Sequence, residues 1–308
     1  MDNFNNNEYT NMIKDLIHDT KYIERSNRGK IQGLRQYAEI LVRKILNLGS
    51  SIQITLGEIR NDSRNEAVVT SLNLLENDFR NKLIKTVNEI RIIGNNGTHT
   101  SYTEIFSNEI VEKTEDRVME LYALIFIKYF LDIRIDIYTS PIILYVFSIL
   151  PPIIRYKTWK YLFKKNKNNI QVANKLCLSI IKAFSKEEAY KWLQKNMRVI
   201  KSIPYPTNKE KIKYIETAGI QVSPTQYQVS LNFDRYNNMY DLLYDKIKDS
   251  RTSINESGKM YTNFEEAIKY YRNFKSSYNI QKYSEEIQIL YSLMDFVYLG
   301  RKSDEEIQ

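Results

Sequence analysis

The sequence predicts an all-α protein, and three observations carry that expectation. Apolar residues recur at the helical period through 29–48 and again through 67–92. No stretch before residue 135 alternates at the strand period, and only 226–233 does so later. Between the periodic segments stand Asn, Gly, Ser and Pro clusters of the kind that end helices.

Residues 8–24 show a weak helical stripe of Met12, Leu16, Ile17 and Ile23. The next is sharper: Ile31, Leu34, Tyr37, Ala38, Leu41, Val42 and Ile45 line one face, and Gly49-Ser50-Ser51 is expected to stop that helix. A short helix over 54–60 precedes a polar loop at 61–65. Residues 67–92 read as one helix through Leu72, Leu75, Phe79, Leu83, Ile84, Val87 and Ile90, stopped by Gly94-Asn95-Asn96-Gly97, since Gly and Asn tolerate positive φ. From Ser107 or Thr114 to Ile133 runs a long helix, apolar almost all round after Val118, which marks it as central or dimer-facing.

Past Pro141 the expected helices are 142–150, 155–165, 168–184, 186–197, 235–249, 262–276 and 282–300, with a break at 202–208. Tyr227, Val229, Leu231 and Phe233 permit one short strand near 226–233, or a loop. Two domains follow, 1–138 and 139–308.

The net charge of +8 is uneven: residues 1–138 carry −2, 139–215 carry +13 and 216–308 carry −3. A basic block of that strength is the footprint of a polyanion partner, nucleic acid first; a lysine-rich solvated face is the competing reading. Residues 155–167 interleave cations with aromatics. On a helix, Tyr156, Trp159, Leu162 and Phe163 share one face, leaving a cationic outer face for RNA built from Arg155, Lys157, Lys160, Lys164, Lys165 and Lys167.

One cysteine, Cys177, excludes an internal disulfide framework, and its apolar neighbours read as a buried helix face. The polar start lacks a signal-peptide pattern, and the greasiest region is broken by Lys128, Asp132, Arg134, Asp136 and three prolines, so a cytoplasmic protein off the membrane is expected. Two distant histidines and one cysteine give no metal-ligand spacing, and no P-loop or dinucleotide glycine pattern is present; no cofactor is expected.

The chemistry-bearing stretch is Arg91-Ile-Ile-Gly-Asn95-Asn-Gly-Thr-His99. Histidine exchanges a proton near neutral pH and can serve a ribose 2′-OH or a leaving 5′-oxygen. Arginine offers a planar cationic fork to a phosphorane, and asparagine orients an oxygen without adding charge. Spaced by four, Arg91, Asn95 and His99 share a face if helix continues across the glycines. The same turn is also an ordinary helix stop in which histidine only caps.

Together with the Arg35-x-x-x-Glu39 helix, this Arg-x-x-Gly-Asn-x-Gly-x-His turn resembles the HEPN superfamily, in its DUF4145-like branch, over roughly residues 5–135. The resemblance implies a helical bundle that dimerises, often as a metal-independent ribonuclease of toxin, abortive-infection or other bacterial defence systems. Its site is composite, with Arg and His from both protomers. Carried over, Arg91 stabilises the phosphorane, His99 is general acid or base, Asn95 positions the phosphate, and Arg35 and Glu39 organise from the neighbouring helix. The expected partners are tRNA or mRNA, a second copy, and an antitoxin or defence protein. Two departures stand out: seven residues separate Arg91 from His99, where ribonuclease members have four to six, and Ile92 follows Arg91 where a polar residue is usual. A catalytically silent, nucleic-acid-binding or partner-binding adaptor is the alternative, and a purely structural turn in a helical scaffold the third.

Overall fold

The computed structural model describes residues 4–98, 103–203, 206, 208–229, 231–253, 261–277 and 283–307. The fold is all-α, with one two-stranded antiparallel sheet among the described residues. The chain divides into two compact units, residues 1–128 with 295–308, and 129–294. The boundary read from sequence, 138/139, lies ten residues further on and leaves 295–308 with the second half.

In the first unit, α1 (Thr10–Lys21) and α2 (Asn27–Leu46) pack as neighbours. Ser26 caps α2 by accepting from the Gly29 N–H. The seven-residue stripe read from Ile31 to Ile45 is buried throughout. The helix stops earlier than Gly49: Asn47 takes the left-handed conformation at φ 55° and donates to the Arg43 and Lys44 carbonyls. Asparagine is among the few side chains that adopt it readily.

The single helix expected over 67–92 is two, α3 (Glu66–Asn73) and α4 (Asn77–Thr98). Leu75 N–H turns back to the Leu72 carbonyl, Leu74 is 84% exposed, and Arg80 reaches the side-chain oxygens of Asn73 and Asn77 across the break. Nor does Gly94-Asn95-Asn96-Gly97 stop α4, which runs through it to Thr98. Partners on α2 account for this, as described below.

The next helix, α5 (Asn108–Ile133), has residues 121–127 buried without interruption. That burial arises inside one chain, so the helix is central without needing a second copy to cover it. Tyr122 and Tyr37 share a buried hydroxyl–hydroxyl contact of 2.5 Å, and Arg301 donates to Tyr122 at 3.0 Å. Arg301 belongs to the returning segment 295–308, as does Lys302, whose N–H donates to the Tyr22 hydroxyl. Gly300 makes the return possible: its φ is +75°, and a Cβ there would sit 3.0 Å from the Lys14 Cα.

The second unit opens with α6 (Pro141–Ser148) and α7 (Pro152–Lys165), each with proline in its first turn. Phe130, Phe147 and Trp159 form a ring cluster with centroids 4.8–5.1 Å apart. Helices α8 (Ile170–Ala183), α9 (Lys186–Lys195), α10 (Met197–Lys201) and α11 (Asn208–Ala218) follow. The strand permitted near 226–233 is β2 (Gln226–Gln228), paired antiparallel with β1 (Ile220–Ser223). Leu231 and Phe233, half of its alternating pattern, are buried beyond the strand's end. The remaining elements are α12 (Met239–Lys248), α13 (Phe264–Ser277) and α14 (Glu285–Tyr298), whose last four residues already belong to the first unit, as does α15 (Asp304–Ile307). Among the described residues no helix is long and apolar enough to cross a membrane.

Candidate functional site

Because α4 is unbroken through Thr98, Arg91 and Asn95 lie one turn apart on the same face, both half-buried. Arg91 is pre-oriented by its own helix: its Nε and one terminal nitrogen donate to Asn88 Oδ1 at 3.2 and 2.8 Å. His99, the third member of the expected set, lies outside the described residues.

What carries α4 across two glycines is a stripe of α2 at helical spacing: Arg28, Gln32, Arg35 and Glu39. The last carbonyls of a helix have no partner within it. Here Arg28 donates to the Asn96 and Gly97 carbonyls at 3.3 and 3.2 Å, and Gln32 to Gly97 at 3.0 Å. The same guanidinium reaches the Glu104 carbonyl at 3.4 Å and lies 5.2 Å over the Phe106 ring. One turn earlier α2 and α4 come so close that a Cβ at Gly94 would stand 2.6 Å from Arg35 Cδ. Glycine is therefore used here for close approach rather than as a stop.

Arg35 and Glu39 both sit on the helix packed against α4, and both are half-buried. Burial raises the Glu39 carboxyl above its ordinary range, while the Arg35 cation and the Leu56 backbone N–H pull it back down. Glu39 thus joins α2 to the short turn Leu56–Glu58, and that turn forms the far wall of the site. Glu58 closes it by accepting from the Thr55 N–H at 2.6 Å.

Between this turn and α4 lies an open cleft of about 320 Å³. Asn81, Lys85, Asn88 and Arg91 line it from α4, with Gly57 and Arg60 opposite. Every charged side chain in the lining is a cation. Arg28, Gln32, Asn81, Lys85, Asn88 and Arg60 were not among the residues singled out from sequence. The signal existed: 81, 85, 88, 91 and 95 repeat at three or four residues, and all five are amide or cationic.

The basic half divides differently from expectation. Lys160, Lys164, Lys165 and Lys167 are exposed, Lys157 is half-buried, and Trp159, Leu162 and Phe163 face inward. Arg155 is a correction: it is only 5% exposed, with its guanidinium 5.8 Å from the Tyr261 ring, so it offers no cation to solvent. Its spacing explains this, since Arg155 precedes Trp159 by four and Leu162 by seven and falls on their face. Lys160 leans on Tyr156, donating to its hydroxyl at 2.9 Å.

Cys177 is fully buried in α8, and burial pushes its thiol up to about 12, which leaves it protonated and unreactive at neutral pH. Among the described residues no three His, Cys, Asp or Glu side chains gather closely enough to hold a metal ion. Compared with known proteins, the chain matches no family model, no curated protein and no solved structure, and the chemistry of the α4 cleft follows from its own side chains.

Proposed function

We propose that this chain is a HEPN-like, metal-independent endoribonuclease of a bacterial defence or toxin system, acting at the C-terminal end of α4. The observation that carries the reading is the unbroken helix, which keeps Arg91 and Asn95 on one face beside a cleft whose polar side chains are all cations or amides, set among Leu56, Ile59 and Ile84. In this reaction the ribose 2′-oxygen attacks the adjacent phosphorus while the 5′-oxygen leaves. One imidazole takes the 2′-OH proton and another protonates the leaving oxygen, so the products are a 2′,3′-cyclic phosphate and a 5′-hydroxyl. Each chain has one histidine in this stretch of sequence, His99, and a homodimer would supply the pair. Arg91 neutralises the charge that grows on the phosphorane oxygens, and Asn95 orients one of them. The exposed Lys160, Lys164, Lys165 and Lys167 attract a tRNA or mRNA substrate electrostatically.

The test is incubation of purified protein with total RNA in EDTA, with fragment ends mapped. Fragments ending in cyclic phosphate are expected, abolished by His99→Ala and slowed about 10²-fold or more by Arg91→Ala. Cleavage that persists in His99→Ala overturns the assignment. A second reading, a catalytically silent adaptor that binds nucleic acid or a defence partner such as an antitoxin, is favoured by one observation. Arg28 and Gln32 give the Gly-Asn-Asn-Gly segment a structural occupation of its own. It predicts RNA binding with no fragments from the wild-type protein.

A further inference from the structure

We infer that the cleft between α4 and the 56–60 turn is a strand-binding subsite, in which Lys85 and Arg60 hold backbone phosphates flanking the one at Arg91. The identity of the strand as RNA rests on the reading above; the subsite itself stands on four observations in the cleft.

The first is shape. Asn81 and Arg91 are ten residues apart on one helix, about 15 Å along its axis. A single phosphate engages one end of such a line, whereas a chain of phosphates runs its length. The second is charge. Lys85 is exposed, and no hydrogen-bond or ion-pair partner holds it among the described residues. Arg60 is exposed on the opposite wall and shares its charge loosely with Asp62, at 3.5 Å with both side chains in solvent. Glu89, the α4 acid nearest Arg91 in sequence, is taken by Arg117 at 3.0 Å.

Third, the cations alternate with amides. Asn81 has no partner among the described residues, and Asn88 spends its oxygen on Arg91, leaving its NH₂ to donate. Cation and amide in alternation suit a polymer that presents phosphate, then a polar sugar or base edge. Fourth, the lining contains no aromatic ring. Base stacking is therefore not offered, and binding should be carried by phosphates and be indifferent to base identity.

The probe is a uniformly 2′-O-methylated oligouridylate in EDTA, which cannot be cleaved by its own 2′-oxygen, with affinity read by fluorescence anisotropy across salt concentrations. For a single strand the slope of log K against log salt is about −0.7 per phosphate neutralised. Lys85→Ala and Arg60→Ala should each flatten the slope by about 0.7 and weaken binding about tenfold. Lys113→Ala, an exposed cation on α5 outside the cleft lining, should do neither. Asn81→Asp, which places an acid in the line, should weaken binding more than Asn81→Ala.

No binding by the wild type, or slopes unchanged in both cation variants, overturns the subsite. Inorganic phosphate or pyrophosphate displacing the oligonucleotide as well as an unlabelled strand does, at matched phosphate concentration, also overturns it, in favour of a small-anion pocket. The two proposals fail separately. Flattened slopes with a wild type that cuts no RNA leave the subsite standing and remove the ribonuclease. Unchanged slopes with His99-dependent cleavage do the reverse.

Discussion

Replacing Arg28 by Ala should loosen the end of α4 without unfolding the helix. The guanidinium makes three hydrogen bonds to carbonyls, of Asn96, Gly97 and Glu104, at 3.2–3.4 Å. At such lengths, on a half-buried side chain, each contributes about 0.5 kcal/mol net. The cation over Phe106 adds about 0.5 kcal/mol. The expected loss is about 2 kcal/mol, which for a unit of this size lowers the melting temperature by about 6 °C. Hydrogen exchange should speed up at the amides of residues 95–98, while those near Leu83 and Val87, in the buried middle of the helix, keep their protection. Arg28→Lys should recover about half the loss, since one ammonium keeps the ring contact but cannot span three carbonyls. A stability change under about 0.5 kcal/mol, with exchange at 95–98 unaltered, would refute the reasoning. The helix end would then be held by something other than α2.

Three further outcomes are expected. Glu39 is raised by burial, so the stability it contributes is present at low pH and lost as pH climbs through the raised value; Glu39→Gln should match wild type near pH 4 and equal or exceed it near pH 7 by urea denaturation. Lys246, whose Nζ donates to Asn174, is brought down to about 8 by burial and then by neighbouring Lys175. The second unit should therefore lose stability as pH falls through about 8, and Lys246→Met should flatten that dependence in calorimetric scans from pH 7 to 10. Arg301→Met should cost the first unit about 2 kcal/mol, read as a lower urea midpoint at unchanged slope, because a buried charged donor to Tyr122 is removed.

The stripe of α2 was legible because burial there follows the helical period, and the all-round burial of residues 121–127 in α5 because the chain is apolar on nearly every face there. The run of α4 through Gly94 and Gly97 was not. Intrinsic preference favours a stop, and the caps that override it, Arg28 and Gln32, lie 65–69 residues away in sequence. The break at 74–76 was hidden for the opposite reason: Leu72 and Leu75 keep the helical phase while Leu74 points into solvent. For α11 and β1 there was little burial to read, since Ile212, Ile220 and Val222 are all more than half exposed. Of the candidate site, Arg91 and Asn95 came from residue chemistry. Lys85 and Asn88 needed the same periodic test applied to polar residues, and Arg60 needed the fold.

The return of 295–308 to the first unit sets an order of events during synthesis. Its bonds are very long in sequence: Arg301 to Tyr122 spans 179 residues, and Lys302 to Tyr22 spans 280. A ribosome adding roughly 5–20 residues per second therefore exposes residues 1–128 for about 9–35 s before their last helix is made. During that delay Tyr122 lacks Arg301, and α1 lacks the segment that closes against Lys14. The second unit, continuous from 129 to 294, has no such wait. The unit that begins first on the ribosome is thus the one that waits longer for its last contacts, those of Arg301 with Tyr122 and of Lys302 with Tyr22.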